Sequence, residues 1–285
     1  MRSTDPRIVL GLHRSRHERR LLIEALDLGV TALDTSTNYL GFRSHQVLAQ
    51  AAGDLLPKFT VSTKVGYFPG RNGSKHSLDP VRLHTTVEQA VNDLGREPDL
   101  VFLHNPEHSL RQTASHGRDV LAQACAALDD SVAKGLCAAW GVASWDPSPL
   151  LDLVDPTASK PSVVMIRAGL LVGAGTLDAA DALIKAWDLD ERAVWGMSPF
   201  GSRADAPVWN RIDPRIFLRD NSRFSRVQAA FRTAYHLPRV ASVAVGTDDP
   251  AHLGELVESL AGEVEGRTVD EYRKFLRDRS RDQPA

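Results

Sequence analysis

Short apolar runs alternate along this chain with longer amphipathic segments, and that alternation predicts its elements. Ile8 to Leu12 is strand-like. Glu18 to Leu28 then carries Leu21, Leu22, Ala25 and Leu26 on one helical face, with Gly29 as its stop. Strands at Ala32–Asp34, Phe59–Val65 and Leu100–His104 alternate with helices at Val47–Ala52, Val81–Leu94 and Val120–Lys134, each helix followed by a glycine (Gly53, Gly95, Gly135). The second half continues with strands at Ala138–Val142, Ser162–Ala168, Ala193–Met197 and Ala241–Val245. A short helix near Pro147-Ser148-Pro149 and helices at Leu177–Trp187, Arg223–Tyr235 and Pro250–Leu260 lie between and after them. A last helix over Val269–Phe275 is expected on the outside.

Eight strand–helix units in succession close most simply as a (β/α)8 TIM barrel, an α/β fold in which parallel strands are joined by crossover helices. The whole chain, 1–285, reads as one such domain, with 261–285 as a C-terminal helix and tail. The alternative is an open doubly wound sheet, which usually carries a glycine-rich turn after its first strand. Leu12-His13-Arg14-Ser15-Arg16 stands there instead. Three long stretches after strands, Gly66–Leu78, Asn105–Arg118 and Gly201–Arg219, read as loops rimming the catalytic face, and their aromatic residues Tyr67, Phe68 and Trp209 either wall a substrate pocket or pack within the loops.

Composition narrows the partners. With 34 basic and 36 acidic residues, the formal net charge of -2 gives no electrostatic reason to expect nucleic acid or an anionic membrane. No apolar stretch approaches the roughly 18 residues that span a bilayer, so a cytoplasmic protein is expected. Cys125 and Cys137 sit in apolar contexts and read as buried thiols rather than as a metal site.

Polar residues at the strand ends carry the chemistry. Asp34 ends the second strand, Lys64 closes the third, His104 ends the fourth, and Tyr39 follows Asp34 by a few residues. In a barrel these ends converge on one mouth. A phenol beside an ammonium, a carboxylate to hold the ammonium, and an imidazole form a proton-transfer set. Tyr39 is the expected proton donor to a developing alkoxide. Lys64 is expected to lower the phenol pKa from about 10, Asp34 to fix Lys64, and His104 to hydrogen-bond a carbonyl oxygen. Taken singly, each has a structural role open to it: a strand-end Asp caps a turn, a buried Lys pairs with a carboxylate, a His is satisfied in a core. Arg43, His45, Arg71, His108 and Arg167 either give the mouth a basic character or are solvated surface groups.

The order of these residues resembles the aldo-keto reductases. Asp34-Thr35-Ser36-Thr37-Asn38-Tyr39 is similar to that family's Asp-Thr-Ala-x-x-Tyr signature. Ser62-Thr63-Lys64-Val65 resembles its lysine strand, and Asp99 through His104 its histidine strand. Gly141-Val142, Ser198-Pro199-Phe200-Gly201 and Gly246-Thr247 through His252-Leu253 resemble further family segments. The resemblance implies NADPH-dependent, metal-free reduction of a small-molecule carbonyl by a monomer or small homo-oligomer, with NADH as the alternative that the carboxylates of Asp248-Asp249 leave open. It also implies a cofactor site at Ser144, Met165, Met197, Ser198, Phe200, Gly201, Ser202, Arg203, Gly246, Thr247, Asp248 and His252. The cofactor side departs from the family pattern. Ala143-Ser144 stands where the family has Ser-Asn, Met165 where it has a glutamine, Met197 where it has a stacking tyrosine, and Asp248-Asp249 where many members are basic. These departures keep two other readings open: proton-transfer chemistry without redox (dehydration, elimination or isomerisation), and a ligand-sensing barrel.

Overall fold

The computed structural model describes residues 7–71, 73–111, 116–155, 158–201 and 203–281. In chain order the elements are β1 (Arg7–Gly11), α1 (Arg19–Asp27), β2 (Ala32–Asp34), α2 (Ser44–Ala52), β3 (Thr60–Val65), β4 (Tyr67–Gly70), β5 (Gly73–His76), α3 (Pro80–Leu94), β6 (Leu100–His104) and α4 (Glu107–Leu110). There follow α5 (Gly117–Ala133), β7 (Ala139–Ser144), α6 (Ser148–Leu151), β8 (Val163–Arg167), α7 (Ala174–Ala186), β9 (Val194–Met197), α8 (Arg226–Ala234), β10 (Ser242–Val245), α9 (Pro250–Ser259) and α10 (Gly266–Arg281). The strands β1-β10-β9-β8-β7-β6-β3-β2 form a closed parallel barrel, as the alternation predicts.

The helices form where their sequences supply both an apolar face and ends. α1 buries Leu21, Leu22 and Ala25. α3 opens with Asp79, whose carboxylate accepts from the Arg82 N–H at 2.9 Å, followed by Pro80. It closes on Gly95 at φ +70°, a left-handed C-terminal position that glycine takes without steric cost. α8 opens with a reciprocal capping box between Ser225 and Gln228. The main core lies between barrel and helices, and Cys125 and Cys137 are buried free thiols.

Inside the barrel, Val9, Leu100, Phe102, Ala143, Met165 and Ala244 pack together. The Phe102 and Trp195 rings meet edge-on at 5.7 Å although their strands, β6 and β9, are not neighbours, so they meet through the interior. Gly141 makes room for this: a Cβ there would lie 2.8 Å from the Phe102 ring.

The stretch Gly66–Leu78 is not a plain loop. It folds into the antiparallel hairpin β4–β5, with Tyr67 opposite His76. The stretch from Asn105 contains α4, and the stretch from Gly201 contains 3-10 turns at Pro207–Asn210 and Pro214–Phe217. α10 runs well past both ends of Val269–Phe275. α2 begins three residues before the expected Val47, because polar Ser44 and His45 are buried and hydrogen-bonded instead of solvated. Among the described residues, no helix is long and apolar enough to cross a membrane.

His45 is therefore no part of a basic mouth. Its Nε2 bonds Thr63 Oγ1 at 2.7 Å, and burial pushes its pKa from 6.5 down to about 4. The unfolded chain binds this proton from about pH 6.5 downward, whereas the folded protein resists it until about pH 4. Stability present above pH 6.5 is thus lost as the pH falls through that window, by about 3 kcal/mol for this one group. His45→Gln keeps a side-chain partner for Thr63 and cannot titrate. Denaturant midpoints should fall more steeply with acid in the parent than in His45→Gln, and parallel curves would refute the assignment.

Candidate active site

The pairing of β2 with β3 sets Asp34 opposite Ser62, with Lys64 one pleat further toward the mouth on the same face. Ser62 Oγ donates to Asp34 Oδ1 at 2.8 Å, while Lys64 Nζ forms an ion pair with Asp34 Oδ2. Nζ also donates to the Thr35 carbonyl at 2.9 Å and to Tyr39 Oη at 3.4 Å. An ammonium has three protons, so each of the three is assigned. Asp34 and Lys64 side chains are only 6% and 3% exposed, which leaves little water to screen the pair.

Tyr39 opens a tight turn, Tyr39–Gly41, in which Leu40, and Phe42 just after it, adopt left-handed φ of 49° and 68°. Its ring meets His13 edge-on at 4.9 Å and His104 at 6.4 Å. His104 Nδ1 bonds Ser36 Oγ at 3.2 Å, and Ser36 also contacts the Asn38 amide at 2.6 Å. On its other side His104 packs edge-on against Tyr67 at 4.9 Å. The Tyr67 hydroxyl is held by His108 Nδ1 at 3.0 Å and Asn105 Nδ2 at 3.4 Å.

Burial dominates the electrostatics. It raises the Tyr39 phenol above its ordinary value of 10, and the Lys64 ammonium offsets this only in part. The net direction is opposite to that expected from Lys64 acting by itself: Tyr39 remains a neutral acid. Burial also works against charge on Lys64, but Asp34 and Tyr39 outweigh it and its pKa rises. His104 lies well below the ordinary histidine value, first through burial and then through repulsion by Lys64, so its imidazole is neutral at pH 7.

These groups open into a cavity of about 560 Å³ at the barrel mouth. Asp34, Tyr39, Lys64 and His104 line it, as do Met165, Met197, Ser198, Phe200, Gly201, Arg203, Gly246, Thr247 and Asp248. Two expected cofactor residues do not. Ser144 is fully buried. It follows Ala143, which points into the barrel, so the pleat turns Ser144 outward toward the helices. His252 lies on the open side of α9, paired with Asp249 at 3.8 Å. Ser202 lies outside the described residues.

The cavity also takes residues that the strand ends did not announce: His13, Arg14 and Ser15 from the β1–α1 loop, Asn38, Tyr67, Asn105 and Trp145. Glu107 is buried in α4 and accepts from the Trp145 N–H at 2.8 Å, which fixes the backbone of that wall. Arg167 is half-buried with its guanidinium 5.0 Å from the Trp145 ring, a packing contact and not a free surface charge. The His13–Arg14–Ser15 sequence is legible as polar residues after a strand, and Tyr67 as an aromatic residue on a rim loop that walls the pocket; Trp145 has no local signal.

A model of the Aldo/keto reductase family matches residues 13–190. No curated protein matches the chain significantly. Among solved structures, an aldo-keto reductase from Bacillus halodurans in its holo form is similar over 94% of this chain and 91% of its own, with TM-score 0.74 and 18% identity. An aldo-keto reductase from Klebsiella pneumoniae, solved in complex with NADPH, gives TM-score 0.67 and 17% identity over 95% of this chain and 91% of that one. An aldose reductase from Giardia lamblia gives 0.66 and 16% over 96% and 92%.

Proposed function

The chain belongs to the Aldo/keto reductase family, and we propose that it reduces the carbonyl of an aldehyde or ketone with NADH or NADPH, Tyr39 giving the proton to the carbonyl oxygen. The observation that carries this reading is the Asp34–Lys64–Tyr39 relay, buried behind a phenol that lines the cavity.

The residues present fit a dinucleotide in part. A cavity of about 560 Å³ is within the usual range for such ligands. Gly11 and Gly246 leave bare backbone at the rim, and a Cβ on Gly246 would lie only 3.1 Å from the Gly11 carbonyl. Met165 and Met197 offer a soft apolar surface to a nicotinamide ring; Gly201, Arg203, Thr247 and Asp248 stand where the remainder would be held. Bound there, the reduced nicotinamide supplies a hydride to the carbonyl carbon.

The chain's own residues manage the proton. As negative charge grows on the carbonyl oxygen, the Tyr39 hydroxyl transfers its proton and becomes a phenolate. Lys64 Nζ, already donating to that oxygen, stabilises the phenolate by about 5 kcal/mol at an effective dielectric near 20. Asp34 and the Thr35 carbonyl keep Nζ from moving. A carbonyl oxygen at His104 Nε2 selects the tautomer with its proton there, Nδ1 then accepting from Ser36 and the Asn38 amide turning its nitrogen toward Ser36.

Ala143 and Met165 give no side-chain hydrogen bond to a carboxamide, and that favours a second reading: the same proton relay serving a dehydration, elimination or isomerisation. A panel of small aldehydes and ketones separates the two. Consumption of NADH or NADPH in step with alcohol formation supports reduction. No dinucleotide binding and no consumption across the panel would sink it.

A further inference from the structure

We propose that Asp248 makes this chain select NADH over NADPH, an inference that rests on the reductase reading above. In the closed barrel β10 lies four strands from β6 in either direction, so the loop after β10 faces His104 across the mouth. A ligand that reacts at Tyr39 and His104 and spans the cavity presents its far end to Gly246, Thr247 and Asp248.

The Asp248 carboxylate is fixed there. Oδ1 accepts from Ser15 Oγ at 2.7 Å and from the Arg16 N–H at 3.3 Å, and Oδ2 lies 3.5 Å from Arg16 Nε. These contacts tie the β10 loop to the β1–α1 loop and hold the carboxylate in place. The side chain is still 30% exposed, and a carboxylate has acceptor sites beyond those used.

Most of the positive charge close to it is already engaged, Arg14 on the same cavity wall being the exposed exception. Arg16 is shared with Glu18 at 3.1 Å. A helix N-terminus ordinarily attracts phosphate, but α9 is capped by its own Asp249, whose Oδ1 accepts from the Ala251 N–H at 2.9 Å. From Gly246 to Leu253 the sequence has no Lys or Arg, and His252 pairs with Asp249. Across the rim, Arg203 is bound by Asp205. A ribose 2′-hydroxyl meets a held acceptor at Asp248, whereas a 2′-phosphate brings acceptors and negative charge against a carboxylate.

Calorimetric titration of the full chain with NADH and with NADPH tests this without relying on turnover. NADH should bind tighter by about tenfold or more, equivalent to about 1.4 kcal/mol. High salt should narrow the gap by screening. Asp248→Asn, which keeps an oxygen for Ser15 but loses the charge, should narrow it as well. Equal or tighter NADPH binding would overturn the inference while leaving the reductase reading in place. So would a gap that neither salt nor Asp248→Asn changes. Binding of neither dinucleotide would overturn both. A melting curve checks that the variant folds, and if it does not, the salt series on the parent decides.

Discussion

Tyr39→Phe should lower kcat for carbonyl reduction by about 10²–10⁴-fold, the usual worth of a positioned general acid. The substitution removes one oxygen. The ring stays to pack against His13, and the Asp34–Lys64 pair keeps its own bonds. Dinucleotide affinity and melting temperature should therefore remain near those of the parent, so the loss is chemical and not structural. A pH profile adds a second constraint. Because burial raises the Tyr39 pKa, the acid form needed for reduction persists, and the rate should not decline on the alkaline side until the pH passes the ordinary tyrosine value of about 10. Alcohol oxidation needs the phenolate and should still be rising there. Turnover in Tyr39→Phe within a few-fold of the parent would remove Tyr39 from the mechanism.

Lys64→Met should cost both folding and turnover. Removing the ammonium leaves the Asp34 carboxylate buried, with only Ser62 Oγ still donating to it from a side chain among the described residues. Breaking a buried ion pair on one side costs about 3–5 kcal/mol, which urea unfolding would register directly. The variant also leaves nothing to stabilise a phenolate at Tyr39, so kcat should fall by several orders of magnitude. Asp34→Asn combined with Lys64→Met separates the two effects. The double variant removes both charges and should recover most of the stability, but none of the turnover. Activity returning with stability would mean that Lys64 serves only the fold.

The barrel was legible because most of its strands are short, largely apolar runs, and because the helices between them end in glycines such as Gly29, Gly95 and Gly135, which take positive φ. The hairpin β4–β5 was not, since Pro69, Gly70 and Gly73 break any alternation and its residues are mostly exposed. The start of α2 was hidden for the opposite reason. Ser44 and His45 look like solvated loop residues, and only their partners, His17, Thr35 and Thr63, explain their burial.

The candidate site divides along the same line. Asp34, Lys64 and His104 could be placed because a strand end fixes where a side chain goes, and Tyr39 because its turn follows directly. Ser144 shows the limit: one residue of pleat parity separates the barrel interior from its outside. His252 shows the helical equivalent, a residue in the right segment on the wrong face. Asp248 lines the cavity, but its ties to Ser15 and Arg16 join segments more than 230 positions apart and leave no local trace in the sequence.

The most direct test of the account follows the hydrogen itself. The protein is given reduced dinucleotide labelled with deuterium at the transferable position, together with the carbonyl that the panel shows to be turned over best. Reduction predicts an alcohol carrying one deuterium on the former carbonyl carbon and an equal amount of oxidised dinucleotide. Product formed without label and without dinucleotide consumption would contradict it and would assign the Tyr39–Lys64 relay to proton transfer without redox.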